Sequence, residues 1–185
     1  MAVIKIDTTQ YDTQLNEKEQ RITSQFKRFG VQALEVFSSE PINYRQRAEF
    51  RVWHDGDDLF HIMFDQATKE KIRVDTFDPA APLVGEVMQV MIDNLKSCEV
   101  LRRKLFQIDY LSSLSGEILV SLLYHKPLDE QWLTEIKALK EKLSSKYNID
   151  FIGRARKQKE VLGNDFVTEC LTVNGQELIY QQVEN

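Results

Sequence analysis

Three observations predict an α+β fold with a largely antiparallel sheet and three helices. Apolar residues recur at helical spacing in three stretches, alternation with a period of two governs most of the rest, and short polar turns join the strand-like stretches as hairpins. The expected order is α-βββ-α-ββ-α-βββ.

Residues 8–28 read as an amphipathic helix with Thr8 or Thr9 as its cap. Tyr11, Leu15, Ile22 and Phe26 form its stripe, and Gly30 is a natural terminator. Segments 44–53, 59–64 and 69–75 then form a three-stranded meander, turned at HDGDD (54–58) and DQATKE (65–70). The second helix covers 82–97, with Pro82 in its first turn and Leu83, Val87, Val90, Met91 and Leu95 facing inward. Strands at 105–111 and 117–124 meet around Ser115-Gly116. The third helix, 129–146, starts at Asp129 and carries Trp132, Ile136, Leu139 and Leu143 at helical spacing. Strands near 149–155, 166–173 and 177–183 follow, the last two joined by the hairpin dipeptide Asn174-Gly175. The organisation expected is an N-terminal helical segment, 1–40, and an α+β domain, 41–185.

The chain has 185 residues, 42% of them hydrophobic and 29% charged, with a net charge of −5, an ordinary globular composition and a poor one for a generic polyanion binder. No apolar run reaches the roughly 18–20 residues of a membrane helix, and MAVIKIDTTQYDTQ lacks the apolar core of a secretory signal. Cys98 and Cys170 have no CxxC or Cys/His spacing and read as reduced structural thiols of a cytosolic protein.

Against this acidic background, YRQRAEFRVW (44–53) places Arg45, Arg47 and Arg51 on one parity and Ala48, Phe50 and Val52 on the other. In a strand, equal parity means one shared face. KEKIRVD repeats the pattern with Lys69, Lys71 and Arg73. With the apolar faces aligned, six cations would fall on one side of the sheet, as planar or point-charge partners for phosphate. A solvated outer face of a half-buried sheet has the same signature. Arg102-Arg103-Lys104 precedes Phe106, an aromatic able to stack on a base, yet Phe106, Ile108 and Tyr110 share parity and fit a core face equally. His125 stands where a strand runs into a loop, within reach of a ligand. GRARKQK (153–159) reads as an exposed strand and turn, with phosphate contact second.

Nucleotide-cradling glycine motifs are missing, the cysteines have no activating neighbour, and the carboxylates lack ligand spacing. His54 and His61 bracket an acidic turn that needs no metal to explain it. On spacing alone the chain is a binding or scaffold domain rather than a self-contained enzyme.

Longer phrases narrow this. YRQRAEFRVWHDGDDLFHIMFD, IRVD, LFQIDYLSSLSGEILVSLLYHKPLDEQW, IGRA and IYQQVEN together closely resemble the bacterial tRNA (uracil-5-)-methyltransferase family, and the resemblance runs from about Tyr11 to Asn185. The resemblance implies an S-adenosylmethionine-dependent, cytoplasmic enzyme that forms 5-methyluridine in the tRNA T-loop. It also implies that the Rossmann-like methyltransferase domain, with its cofactor loop, catalytic cysteine and proton-abstracting glutamate, lies beyond Asn185. Neither Cys98 nor Cys170 matches that cysteine. The chain is then the RNA-engaging N-terminal portion, binding no cofactor or metal and inactive alone, with the tRNA T-arm and the methyltransferase domain in cis as partners. Related rRNA uridine methyltransferases often add a β-barrel domain and a four-cysteine iron–sulfur site, which an N-terminal helix and two cysteines do not match. By the resemblance, Arg51, Phe106 and His125 are the leading RNA contacts, with Arg45, Arg47, Arg103 and Lys104 as further phosphate contacts. A non-catalytic protein-interaction or scaffold domain is the alternative.

Overall fold

The computed structural model describes residues 3–4, 6–30 and 33–184; Asn185, the last residue of the IYQQVEN phrase, lies outside them. Strands are β1 (Val3–Ile4), β2 (Arg47–Asp55), β3 (Asp58–Phe64), β4 (Lys71–Val74), β5 (Thr76–Phe77), β6 (Leu105–Ser112), β7 (Glu117–Tyr124), β8 (Asn148–Ala155), β9 (Gln158–Leu162), β10 (Phe166–Val173) and β11 (Gln176–Val183). Helices are α1 (Tyr11–Phe26), α2 (Pro82–Lys96), α3 (Glu99–Arg102) and α4 (Glu130–Ser144). Seven strands form one sheet in the order β4-β3-β2-β6-β7-β8-β9, while β1-β5 and β10-β11 make two small pairs.

The mixed α/β, mostly antiparallel architecture is the one expected. Within the large sheet only β7 and β8 run parallel, because α4 carries the chain back between them. Strand β9 is absent from the expectation: QKEVL alternates without a strongly apolar side, and it forms because Arg156-Lys157 turns the chain back onto β8. The first helix is capped one residue earlier than expected. Asp7, not Thr8 or Thr9, accepts the Thr9 N–H, and a short 3₁₀ turn, Thr8–Gln10, precedes α1.

Parity decides the layers. Ala48, Phe50 and Val52 of β2, Ile108 and Tyr110 of β6, Val120 and Leu122 of β7, and Phe151 of β8 point to one face. There they meet Val84, Val87, Met91 and Leu95 of α2 and Trp132, Ile136 and Leu139 of α4 in a continuous core. Gly153 is required by close approach, because a Cβ there would collide with the Trp132 indole. On the opposite face the β10-β11 hairpin covers a smaller apolar patch, Leu111, Leu119, Ile152 and Val167. Two carboxylates latch it. Glu169 accepts the Leu114 N–H at the β6-β7 turn, and Glu117 accepts the Thr168 N–H at 2.6 Å. Helix α1 buries none of its residues fully; Tyr11 Oη donates to the Ser39 carbonyl at 2.6 Å.

One polar pair sits inside the main core. His61 Nε2 and Tyr110 Oη share a hydrogen bond of 2.8 Å, both residues are fully enclosed, and Phe50 packs on the two rings. Burial drives the His61 pKa down to about 3, so it is neutral at physiological pH. A depressed histidine pKa gives stability that is present above the unfolded value of about 6.5 and is lost as pH falls toward 3. His61→Gln keeps a hydrogen-bonding group that does not titrate. It should destabilise the chain at about pH 7, and that penalty should shrink by about 2 kcal/mol at about pH 5, measured by urea denaturation at the two pH values.

Candidate functional site

The sheet face opposite the helices carries the cations. Strand pairing puts Arg51 beside Ile62 and Ile62 beside Arg73, so Arg47, Arg51, Lys71 and Arg73 project on the same side. The other two cations of the expected six depart from it. Arg45 precedes β2, and its guanidinium lies 5.9 Å from the ring centre of Phe77, which packs on Phe50 of the helix-covered face. Lys69 is in the β3-β4 turn with φ of 60°, its N–H bonded to the Asp65 carbonyl.

The four that share the face differ in availability. Arg47 is paired with Glu49 at 2.9 Å and with Glu184 at 3.4 Å. Arg73 is held by Asp58 at 2.9 Å and Asp75 at 2.8 Å, which raise its pKa, and it covers the Phe60 ring. Among the described residues Arg51 has no carboxylate partner; its guanidinium lies 5.2 Å from the centre of the Phe106 ring. The Phe106 ring in turn stacks on His125, with centroids 3.9 Å apart and planes 9° from parallel. Arg51, Phe106 and His125 therefore converge on one spot.

A local irregularity makes this possible. Leu105 pairs with Tyr124 and Gln107 with Leu123, so Phe106 is an extra residue, a β-bulge in β6. The bulge shifts parity: Leu105 is buried with Ile108 and Tyr110, while Phe106 turns to the opposite face and is only half-buried. The core-face alternative for Phe106, which assumed an unbroken alternation, is thus excluded. Two contacts hold the bulge. His54 Nε2 donates to the Leu105 carbonyl at 2.8 Å beyond the last β2-β6 rung, and the His125 N–H donates to the Lys104 carbonyl at 2.9 Å. Lys104 has a φ of 62°, a left-handed corner from which the chain enters β6.

The basic triplet divides. Arg102 is buried and grips the β2-β3 turn, donating to the carbonyls of Gly56 at 2.9 Å, Asp57 at 3.0 Å and Asp58 at 3.2 Å. Arg103 and Lys104 are exposed on the rim of an open groove of about 550 Å³, with Trp53, His54, Phe106 and His125 along it. His54 and His61, the pair that brackets the acidic turn, are committed to Leu105 and Tyr110. Among the described residues no group of three His, Cys, Asp or Glu side chains is arranged to hold a metal ion. Cys98 is half-buried beside Glu135, and Cys170 is exposed on β10. No helix of the described residues is long and apolar enough to cross a membrane.

Two features of this face have no counterpart in the sequence-based expectation. Trp53 follows Arg51 on the same parity and is 40% exposed. Asp109 and Glu184 form a buried acidic pair next to Glu49 and Arg47. Burial raises the Asp109 pKa to about 6, helped by Glu49 and Glu184 and opposed by the hydrogen bond from Gln107 and by Arg47. Burial likewise raises that of Glu184, against Arg47 and Arg154. The long-range partner Glu184, in the last described residue of the chain, could not be found from local pattern.

The chain matches the family model described as tRNA (Uracil-5-)-methyltransferase over residues 10–185. It is similar to a "tRNA/tmRNA (uracil-C(5))-methyltransferase" of Pseudoalteromonas translucida, 88% identical over 100% of this chain and 50% of that protein. Proteins of the same description from Shewanella woodyi and Vibrio parahaemolyticus are 56% and 54% identical, again over all of this chain and about half of theirs. The chain thus spans about half the length of the curated relatives it matches. The fold is also similar to a crystal structure of Pyrococcus abyssi tRNA (uracil-54, C5)-methyltransferase in complex with S-adenosyl-L-homocysteine. The TM-score is 0.55 at 13% identity, covering 91% of this chain and 43% of that one.

A raised carboxylate pKa costs stability as pH climbs through the folded value, because the charged form is held where water would solvate it better. Asp109→Asn keeps the acceptor for Gln107 and removes the charge. It should stabilise the chain by about 2 kcal/mol at about pH 7.5 and lose that advantage at about pH 4, read from paired denaturation curves.

Proposed function

The chain belongs to the tRNA (uracil-5-)-methyltransferase family, and on that premise we propose that it is the RNA-engaging portion of an enzyme that methylates C5 of a uridine in the tRNA T-loop. The observation that carries the proposal is the convergence of Arg51, Phe106 and His125 at the bulge of β6.

Each group has a task that suits its chemistry. The Arg51 guanidinium, with no described carboxylate to neutralise it, accepts a phosphate in its planar fork. Phe106 offers a π-face at the groove, and a loop base stacks there, a contact worth about 1–3 kcal/mol. At 3.9 Å the Phe106–His125 pair already has the geometry of two stacked rings, with His125 in the place a base would take. His125 is exposed at a strand end, so it can yield that place or extend the stack. Arg103 and Lys104 on the rim, with Arg45 and Arg47 further off, add phosphate contacts that orient the RNA without reading it. A uridine taken out of a loop must be unstacked, and surfaces that hold its neighbours help offset that cost.

S-adenosylmethionine supplies the methyl group in such an enzyme, and this chain does not fit it. Gly30, Gly56, Gly116, Gly163 and Gly175 occupy turns and caps at positive φ, Gly85 lies inside α2, and Gly153 is packed under Trp132. None opens a helix after a strand as a cofactor cradle would. We assign cofactor binding and the covalent chemistry to a methyltransferase domain in cis, and a cytoplasmic setting to the whole.

An electrophoretic mobility shift with a T-arm hairpin tests the proposal. The 185-residue chain should bind, with affinity falling steeply as salt is raised. Phe106→Ala and Arg51→Ala should each weaken binding about 10-fold. No binding at low salt, or two variants that bind like the parent, overturns it.

A protein-docking role is favoured by a second observation. Strand β11 is almost wholly exposed, with Ile179 at 63% and Leu178, Tyr180 and Val183 also exposed, and its outer edge pairs with no strand among the described residues, whereas β10 is held by Glu117 and Ser115. We propose that this hairpin is where the methyltransferase domain packs. Without that cover the chain should self-associate with rising concentration in size-exclusion chromatography, and Ile179→Lys should restore the monomer. A monomer at every concentration overturns the docking role.

A further inference from the structure

We infer that Trp53 and Lys71 form a second base-stacking subsite beside the Phe106–His125 site, which takes an unpaired ribonucleotide adjacent to the one held there. The inference rests on RNA being the ligand of the first site and names a further seat for it.

Three aromatic–cation pairs lie on the sheet face opposite the helices: Arg51 on Phe106, Lys71 on Trp53 and Arg73 on Phe60. They are not equivalent. Arg73 is fixed by Asp58 and Asp75, so the cation covering Phe60 is already neutralised. Lys71, like Arg51, has no carboxylate partner among the described residues, and its ammonium sits 3.3 Å from the centre of the Trp53 ring. Trp53 is 40% exposed, whereas the chain's other tryptophan, Trp132, is 0% exposed in the core. An indole left at the surface beside an unpaired ammonium offers a π-face and a counter-charge together, the two elements by which single-stranded nucleic acid is held.

The position fits a continuous track. Trp53 is two residues beyond Arg51 on one strand face, about 7 Å along it, a step that one extended nucleotide bridges. Trp53 and Phe106 line the same groove, with Arg103 and Lys104 on its rim. Glu49 and Glu184 pair with Arg47 and Asp109 is buried, while Asp57 and Glu99 line the groove alongside Arg103 and Lys104. A nucleotide on Phe106 therefore has a neighbouring aromatic in the same groove, with the Lys71 ammonium against it.

The two tryptophans allow a direct test. A T-arm hairpin is titrated into the 185-residue chain while tryptophan emission and mobility shift are followed in parallel. The red-shifted emission of exposed Trp53 should be quenched by at least about a third, with the blue emission of Trp132 unchanged. Trp53→Phe, which keeps a ring, should still bind but lose the quench. Trp53→Ala should bind about 5- to 20-fold more weakly, and Lys71→Gln should lower the salt dependence by about one released ion. If the hairpin binds in a Phe106-dependent way while Trp53 emission and Trp53→Ala affinity stay unchanged, the second subsite is refuted and the first site stands. Quenching or a blue shift caused only by the separately produced second half of the Pseudoalteromonas relative makes this face a domain interface and refutes the subsite. Absence of any RNA binding removes both sites together.

Discussion

The candidate site depends on one register shift. A strand alternates its side chains without exception unless a residue is added, and in β6 the addition falls at Phe106. Before it, Leu105 faces the core; after it, Ile108 and Tyr110 do. The inserted residue, which unbroken alternation would put on the core side, turns instead to the far face beside Arg51. Without the bulge, one aromatic would change sides and the convergence with His125 would vanish. The His54–Leu105 and His125–Lys104 hydrogen bonds matter because a bulge forfeits ladder bonds and needs substitutes to be stable.

The same physics explains what could be read from the chain and what could not. Parity arguments located the buried face of β2 and put Arg47, Arg51, Lys71 and Arg73 on the other, because regular strands obey a period of two. They failed where regularity fails. Arg45 precedes its strand, Lys69 occupies a turn, and a bulge leaves no local signature in LFQIDY. Helices α2 and α4 were legible through their stripes and through Pro82 and Asp129 at their starts. Strand β9 was not, since its apolar residues are too few to declare a face. Trp53 stood in plain view with the right parity, but exposure and an unpaired neighbour are properties of the assembled sheet.

Charge is also organised by assembly rather than by composition. The chain is acidic overall, yet several carboxylates near the cationic face are engaged: Asp58 binds Arg73 and Lys96 and titrates at about 2, Glu169 and Glu117 latch the hairpin, and Glu49 and Glu184 occupy Arg47. On the sheet face opposite the helices, Arg51 and Lys71 are left without a carboxylate partner among the described residues, and both adjoin aromatic rings. A net negative charge and a polyanion-binding surface are therefore compatible in one small molecule, because the relevant field is local and screened within about 10 Å.

Arg102 illustrates how neighbouring residues of one charge can belong to different problems. Its guanidinium ties three carbonyls of the β2-β3 turn, while Arg103 and Lys104 extend into solvent. An alanine scan through this triplet would read out two unlike quantities. Removal of the first arginine strands buried carbonyls and loosens the end of β2 that carries Trp53 and His54, so a loss of affinity there would register a deformed scaffold. Removal of the next two leaves the scaffold intact, and any change in affinity would belong to the ligand alone.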